Sequence, residues 1–370
     1  VKQPDLNWDN PQVRKALFDM MNWWVEQGAG GFRLDVIDSV AKEPDKMITA
    51  EGTNLHPYIK EMSAAVLQGR DLVTVGECWS ATPETAKLWS NPDGSELSMV
   101  FQFEHIVLDQ EGWQKWDLKP LPMKELKRVV AKWQTELAGQ GWNSLFWENH
   151  DLPRIVSRWG NDGEYREKSA MMLATILFGL QGTPYIYQGQ ELGLHDPTFD
   201  SLDEYRDIET LNAYKELKES GRFTDDELLA KMQYGSRDCG RTPIPWTTEK
   251  HGGFTTGTPW IKTQVDSGFT VEEQERDDGS VLNFYRKMLK LRKSDACLKD
   301  GEFELLLNED DTSVYTRTLD GETVYVVSRY ASSECAMPEC IPENYTVLLN
   351  NYADFGKTLK PYQSVWLKKI

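Results

Sequence analysis

Gly31-Phe32-Arg33-Leu34-Asp35 is an apolar segment that closes with an arginine and a carboxylate. Val73-Thr74-Val75-Gly76-Glu77 repeats this pattern, and a third apolar segment leads into Asn149-His150-Asp151. Short apolar runs bounded in this way are typical of buried parallel strands. In barrels of parallel strands, the functional side chains project from the carboxyl ends of the strands. The sequence therefore predicts that acidic side chains gather at one such rim: Asp35, Glu77 and Asp151.

Helical and extended patterns alternate through the segments around these acids. Strands are predicted over residues 31–36, 72–77, 99–103, 144–147 and 184–188. Helices are predicted from Pro11 to just before Gly28 and over residues 58–68, 83–89, 123–137 and 168–180. Such alternation predicts a parallel sheet that is closed or covered by helices. An eight-stranded barrel takes about 250 residues and needs eight strand–helix units, of which five are found. We therefore predict an α/β fold, the C-terminal part of a (β/α)8 TIM barrel (about strands 4 to 8), over residues 1–297.

The remaining segments follow a different pattern. Residues 195–280 are rich in Asp, Glu, Gly, Thr and Pro, with one helical run at 203–219, and are predicted to form a long loop excursion. Residues 281–293 form an amphipathic pattern that predicts a helix closing the barrel. Short alternating segments then follow at 303–307, 313–319, 323–329, 345–349 and 364–367. They predict a small antiparallel β-sandwich domain over residues 298–370.

Composition excludes several classes of partner. The chain has 41 basic and 59 acidic residues, a net charge of −18, which disfavours binding to nucleic acid or to anionic membranes. No apolar run approaches the roughly 20 residues of a membrane helix. The five cysteines are scattered, without a CxxC or a His/Cys cluster, which disfavours a disulfide framework or a zinc site and favours a cytoplasmic location.

Several motifs together resemble a known family. They are QPDLNW (3–8), GFRLDV (31–36), VGE (75–77), NHD (149–151) and QGTPYIYQGQE (181–191). In this order and spacing the chain resembles the α-amylase superfamily of retaining glycoside hydrolases, and within it the oligo-1,6-glucosidases and glucan 1,6-α-glucosidases. The resemblance covers essentially the whole chain.

The resemblance implies a role for each acid. Asp35 would be the nucleophile, Glu77 the general acid/base, and Asp151 the carboxylate that grips ring hydroxyls and stabilises the transition state. Such a retaining mechanism needs its first two carboxyl groups about 5–5.5 Å apart. Arg33, on the same strand face as Asp35, would align that carboxylate, and His150 would hydrogen-bond a sugar hydroxyl.

Substrate preference is predicted from further positions of the same resemblance. Val36, directly after the nucleophile, is typical of α-1,6-acting members, whereas maltose-preferring members carry Thr or Ala there. Trp79 resembles the dextran glucosidases, in which a lysine such as Lys115 contacts the second sugar. Arg237 in the loop at 235–243 would complete the pocket. Cys78 and Cys239 lie beside these positions, from which we expect sensitivity to alkylating agents.

The leading hypothesis is an exo-acting α-glucosidase that acts on α-1,6 bonds, as a monomer that needs no cofactor. An α-1,4-glucosidase or trehalose-6-phosphate hydrolase is the alternative within this class, and a transglycosylase or isomerase would use the same covalent intermediate. A non-catalytic amylase-like binding subunit is the alternative from a different class. The first three barrel strands, a lid domain and a structural Ca²⁺ site are expected upstream of Val1, so residues 1–370 alone are expected to be inactive.

Overall fold

The computed structural model describes residues 4–112, 114–265 and 268–370. Gln3, the first residue of the QPDLNW motif, lies outside the described residues, as do Trp113 and residues 266–267 of the loop excursion. The chain divides into two compact units. The first contains the residues up to Ile106 together with Val129–Leu145, and the second contains Val107–Arg128 together with Phe146–Ile370.

The described helices and strands follow the predicted alternation before a strand-rich C-terminal region. The helices include α1 (Pro11–Glu26), α2 (Leu55–Met62), α3 (Pro83–Trp89), α4 (Met123–Glu136), α5 (Ile155–Trp159), α6 (Arg166–Phe178), α7 (Ile208–Glu219), α8 (Asp225–Gly235), α9 (Val271–Arg276), α10 (Val281–Ser294) and α11 (Ala296–Asp300). The strands include β1 (Gly31–Leu34), β2 (Val73–Glu77), β3 (Met99–Phe101), β4 (Gln110–Glu111), β5 (Gln114–Leu118), β6 (Ser144–Leu145), β7 (Thr183–Pro184), β8 (Glu302–Asn308), β9 (Thr312–Leu319), β10 (Glu322–Arg329), β11 (Cys335–Ala336), β12 (Tyr345–Asn350), β13 (Thr358–Leu359) and β14 (Ser364–Lys369).

Helix α1 begins where the sequence predicts. The Asn10 side chain accepts a hydrogen bond from the Gln12 amide at 2.9 Å, and Pro11 occupies the first helical position, where its missing N–H costs nothing. The helix ends before Gly28, whose φ of 100° lies in a region that favours glycine. This predicted helix is confirmed.

Three parallel strands form the sheet of the first unit, in the order β1-β2-β3. Leu34 pairs with Gly76, so the carboxyl ends of β1 and β2 lie level. Gly76 is closely packed, because a Cβ there would lie 2.8 Å from the Ile37 side chain and 2.9 Å from that of Leu97, and both side chains would have to shift. Strand β1 ends two residues earlier than predicted because Val36 turns into the left-handed region, at φ 40° and ψ 42°.

The second unit contains much of what the sequence predicts as a loop excursion. Helix α7 begins at Ile208 rather than at 203, because the Asp207 side chain caps it. Helix α8 was not predicted, although Thr224 and Glu227 form a capping box at its start. Strand β7 is shorter than predicted, and its Pro184 has no N–H for a ladder.

The C-terminal region of the second unit is an antiparallel sheet, in the order β12-β14-β10-β9-β8, with a separate pair formed by β11 and β13. Its core consists of buried aliphatic side chains: Val314, Val327, Leu359, Val365 and Leu367. The antiparallel β architecture is as predicted. The predicted domain boundary between residues 297 and 298 stays a prediction.

Arg317 on β9 is fully buried and binds backbone carbonyls at the start of this region. It donates to the carbonyl of Gly301 at 2.6 and 3.0 Å, to that of Gly179 at 2.8 Å and to that of Leu298 at 3.1 Å. Burial lowers the pKa of Arg317 to about 10. One guanidinium therefore satisfies orphan carbonyls at the ends of two helices, α6 and α11, and ties both to β9.

We expect Arg317→Met to lower the free energy of unfolding by about 3 kcal/mol, because the buried carbonyls lose their donor. Urea unfolding followed by circular dichroism would measure this loss. Arg286→Met, which removes an exposed guanidinium on α10, is the matched control and should change the free energy by less than about 0.5 kcal/mol. Equal stability of the two variants would contradict a role for Arg317 in joining these elements.

Among the described residues, no helix combines the length and apolar character needed to cross a membrane.

Candidate active site

The first two predicted acids lie at neighbouring strand ends in the first unit. Asp35 follows β1 directly, and Glu77 is the last residue of β2. Their exposure differs sharply, since the side chain of Asp35 is 73% exposed and that of Glu77 only 8%. One carboxylate is thus open to solvent, and the other is enclosed by protein.

Arg33 binds both of these carboxylates. Its Nη1 donates to Oδ1 of Asp35, and its Nη2 donates to Oε2 of Glu77 at 2.7 Å. The sequence predicts the first contact, because Arg33 and Asp35 are two residues apart on one strand. The second contact depends on the pairing of β1 with β2 and was not predicted.

Val36 contributes a backbone donor to the same group. Its amide lies 3.3 Å from Oε2 of Glu77. A β-branched residue at positive φ is a real outlier, and strain of this kind is found where the surrounding structure forces it. The turn at Val36 therefore directs an N–H toward Glu77 at the expense of backbone strain, while the side chain of Val36 stays exposed.

Trp79 donates a hydrogen bond to the other carboxyl oxygen of Glu77. Its Nε1 donates to Oε1 at 3.0 Å, and its ring stacks on Phe103 with centroids 3.9 Å apart and planes 10° from parallel. Trp79 nevertheless remains 41% exposed. The indole is thus held between an acid and an aromatic ring and still presents surface to solvent.

In the second unit, Asp151 is surrounded by donors. Arg241 Nη2 lies 2.8 Å and Arg237 Nη1 3.4 Å from its Oδ1, and His150 Nε2 lies 3.3 Å from its Oδ2. The Asn149 side chain accepts from the Asp151 amide at 2.8 Å, which shapes the turn. Arg241 was not predicted, although it belongs to the same loop as Arg237.

Arg237 is fixed mainly by another acid, Asp207, which the sequence motifs do not predict. It donates to both oxygens of Asp207, at 2.6 and 3.1 Å, and lies 3.2 Å from Glu209. Burial would raise the pKa of the Asp207 carboxyl, but Arg237 outweighs burial and holds that pKa below its usual range. Lys115 joins this network through Glu209, at 2.7 Å.

A buried cluster of charged side chains includes residues on both sides of Asp151 in the sequence. Arg154 and Glu148 are fully buried and pair at 3.0 Å, and the Arg154 amide donates to Asp196 at 2.7 Å. Burial raises the pKa of Glu148 and raises that of Asp196 to about 8. Glu148 and Arg154 flank, in the sequence, the segment that carries the predicted third acid.

Cys78 and Cys239 are buried, and burial raises the pKa of each thiol. Thiolates are the reactive form of cysteine. The structure therefore argues against the expected sensitivity to alkylating agents.

Metal ligation is not apparent in the part of the chain that the structure describes, because no group of three or more His, Cys, Asp or Glu side chains is arranged to hold an ion.

Strand-end carboxylates linked by an arginine, on parallel strands that alternate with helices, are the arrangement expected of a glycosidase of the TIM-barrel class. The alpha-amylase catalytic domain model matches residues 1–301, and the chain belongs to the alpha-amylase family of glycoside hydrolases. Its structural neighbours have the TIM-barrel glycosidase fold, and an antiparallel β domain follows the catalytic region in this chain.

Individual relatives are more specific. The chain is 43% identical to an oligo-1,6-glucosidase of Halalkalibacterium halodurans, over 100% of this chain and 70% of that protein. It is 48% identical to a glucan 1,6-alpha-glucosidase of Streptococcus pneumoniae, over 90% of this chain and 63% of that protein. The crystal structure of Bacillus licheniformis trehalose-6-phosphate hydrolase superimposes with a TM-score of 0.94 at 40% identity, over 100% of this chain and 70% of that one. The chain thus spans about two thirds of the length of these relatives.

We expect protonation of Asp196 to appear in the pH dependence of stability. The pKa of Asp196 is about 8 in the folded chain and 3.8 in the unfolded chain, so the unfolded chain loses this proton at a lower pH. The contribution of Asp196 to stability is thus present below pH 3.8 and is lost as the pH rises toward about 8. Asp196→Asn should remove this loss and keep an acceptor for the Arg154 amide.

Melting temperatures between pH 4 and pH 9 would measure this effect. The advantage of Asp196→Asn over the unmodified chain should grow up to about pH 8 and then level off. Asp200→Asn, at an exposed site, is the control and should give no such trend. An advantage that stays constant with pH would contradict the assignment.

Proposed function

We propose that this chain belongs to an exo-acting retaining α-glucosidase that hydrolyses α-1,6 bonds at the non-reducing end of isomalto-oligosaccharides or dextran. The observation that supports it best is the single guanidinium of Arg33, shared by Asp35 and Glu77. Two carboxyl groups that bind one guanidinium are close neighbours, as a retaining mechanism with a separation of about 5–5.5 Å requires.

The mechanism assigns different tasks to the two carboxyl groups. Asp35, the more exposed, attacks the anomeric carbon, while Glu77 gives its proton to the departing glycosidic oxygen. The products of this step are a free sugar hydroxyl and a covalent glucosyl ester on Asp35. Glu77 then takes a proton from water, which attacks the anomeric carbon and releases glucose and the Asp35 carboxylate.

Asp151 supplies the third role, that of gripping ring hydroxyls and stabilising the positive charge of the transition state. Its donors Arg241 and Arg237 orient the carboxylate, and we propose that the exposed His150 beside it hydrogen-bonds a sugar hydroxyl. Arg237 is held mainly by Asp207, whereas Arg241 lies nearer to the Asp151 carboxylate. We therefore propose that Arg241, in addition to Arg237, helps to orient Asp151.

The α-1,6 preference is supported by two observations. Val36 and Trp79 both contact Glu77 and both expose side-chain surface, as residues that touch the leaving sugar would. The names of the two curated relatives, an oligo-1,6-glucosidase and a glucan 1,6-alpha-glucosidase, agree with this preference. Lys115 is proposed to contact the second sugar from its position beside Glu209.

A trehalose-6-phosphate hydrolase is the second candidate, because the superimposed crystal structure carries that activity in its name. We further propose an oligosaccharide as the substrate, no cofactor, no nucleic-acid or membrane partner, a monomeric state and a cytoplasmic location.

Product analysis tests the proposed substrate. Active enzyme carrying this chain is supplied with isomaltotriose, panose, maltotriose and trehalose 6-phosphate, and released sugars are separated by anion-exchange chromatography. We expect glucose mainly from isomaltotriose and panose. Glucose released mainly from maltotriose would overturn the α-1,6 assignment, and preferred cleavage of trehalose 6-phosphate would favour the second candidate.

Glu77→Gln tests the proposed acid/base. We expect kcat to fall by about 10³-fold, within the range that general acid–base catalysis contributes. Glu84→Gln, an exposed position in the first turn of α3, is the matched control and should retain full activity. Unchanged activity of Glu77→Gln would contradict its role.

A further inference from the structure

Asp38 is a buried acid that the proposed mechanism does not use. It lies in the short 3-10 turn Ile37–Ser39 after β1, and only 1% of its surface is exposed. Its Oδ2 accepts from the Ser80 amide at 3.0 Å and from the Ser80 hydroxyl at 2.7 Å. Paired hydrogen bonds to a carboxylate are among the stronger ones in proteins.

Ser80 belongs to the other strand-end loop of the site. The loop after β1 carries Asp35 and Val36 before it reaches Asp38, and the loop after β2 carries Glu77 and Trp79 before it reaches Ser80. The hydrogen bonds between Asp38 and Ser80 therefore link the two loops. Each of these residues lies three positions after a proposed catalytic carboxyl group.

The neighbourhood explains why this connection is rigid. Ile37 is buried against the backbone at Gly76, and the carbonyl of Asp38 accepts from the Glu51 amide at 2.9 Å. The hydroxyl of Ser80 lies 3.3 Å from a Glu51 carboxyl oxygen. The left-handed turn at Val36 thus stands between a catalytic carboxylate and a firmly anchored acid, an arrangement able to hold a strained backbone.

We propose that Asp38 is a positioning residue: through Ser80 it fixes the loop that carries Glu77 and Trp79 against the loop that carries Asp35. This inference rests on the proposed function, because it concerns the relative placement of the two carboxyl groups in that reaction. A small displacement of a reacting group costs about 100-fold in rate, so a contact of this kind acts on turnover rather than on binding.

The first test compares two serines that both donate to Asp38. Ser80→Ala removes a donor that joins the two loops, whereas Ser39→Ala removes a donor, at 3.3 Å, within the loop of Asp38 itself. Asp38→Ala removes the connection completely, and Asp38→Asn keeps an oxygen that accepts from the Ser80 amide. Each variant is assayed with isomaltotriose.

We expect kcat to fall about 100-fold in Asp38→Ala and about 10-fold in Ser80→Ala, with KM changed less than about threefold. Asp38→Asn should recover part of the loss, and Ser39→Ala should match the unmodified enzyme. Equal losses in Ser39→Ala and Ser80→Ala would overturn the proposal, and so would a rise in KM without a fall in kcat.

A second readout does not depend on activity. Cys78 lies between Glu77 and Trp79, so its thiol reports on the loop that the contact holds, and it is buried. Native enzyme is treated with iodoacetamide and each cysteine is scored by peptide mass spectrometry. We expect Cys78 to be protected in the unmodified enzyme and in Ser39→Ala, and to react at least about 10-fold faster in Asp38→Ala and Ser80→Ala, since exposure and thiolate formation control thiol reactivity.

Cys239 is the internal control because it is also buried and belongs to the second unit rather than to the unit that contains this loop. It should stay protected in every variant. Loss of protection at both cysteines would show general unfolding and would overturn a positioning role, as would protection of Cys78 in Asp38→Ala. If the unmodified enzyme lacks glucosidase activity, the proposed function is wrong, and the reactivity of Cys78 decides by itself whether Asp38 holds the loop.

Discussion

The contact of Arg33 with both Asp35 and Glu77 is the interaction on which the chemistry of the first unit depends. Two carboxylates brought close together repel each other, and a shared guanidinium reduces that repulsion and fixes their geometry. This arrangement requires β1 and β2 to pair in parallel with Leu34 opposite Gly76. A shift of that register by one residue would turn Arg33 to the other face of the sheet. The close packing of side chains around Gly76 therefore lies at the pairing on which the two contacts of Arg33 depend.

In the second unit, ion pairs likewise hold charged side chains in fixed orientations. Arg237 is held by Asp207, which also caps α7, so the direction of this side chain is coupled to the start of a helix. The buried pair Arg154–Glu148 flanks the segment that carries Asp151, and the Arg154 amide donates to Asp196. Buried ion pairs add little net stability, because desolvation offsets their attraction. Their benefit here is orientation, since they fix the backbone that presents Asp151.

Local sequence patterns predict the features that depend on neighbouring residues. The structure adds the features that depend on pairing between distant segments. Apolar runs and the Asn10-Pro11 cap are sufficient to predict α1 and the strands β1 and β2. The capping box at Thr224 is also a local signal for α8, but the polar composition of that segment favours a loop. Asp38 and Arg241 carried no such signal. Whether a carboxylate faces a serine 42 residues away follows from strand register and loop conformation, which local patterns do not contain.

We propose that Val36 serves the acid and the substrate through different atoms. Its backbone, at φ 40°, directs an N–H to Glu77, while its side chain is exposed beside Asp35. An exchange of Val for Thr keeps the β-branched shape, and an exchange for Ala removes only side-chain atoms, so each leaves the N–H available to Glu77. Substitution at this position would therefore alter the surface that we propose to meet the leaving sugar while preserving the donor to the acid. In this proposal, linkage preference is separated from acid–base chemistry, although both depend on the same residue.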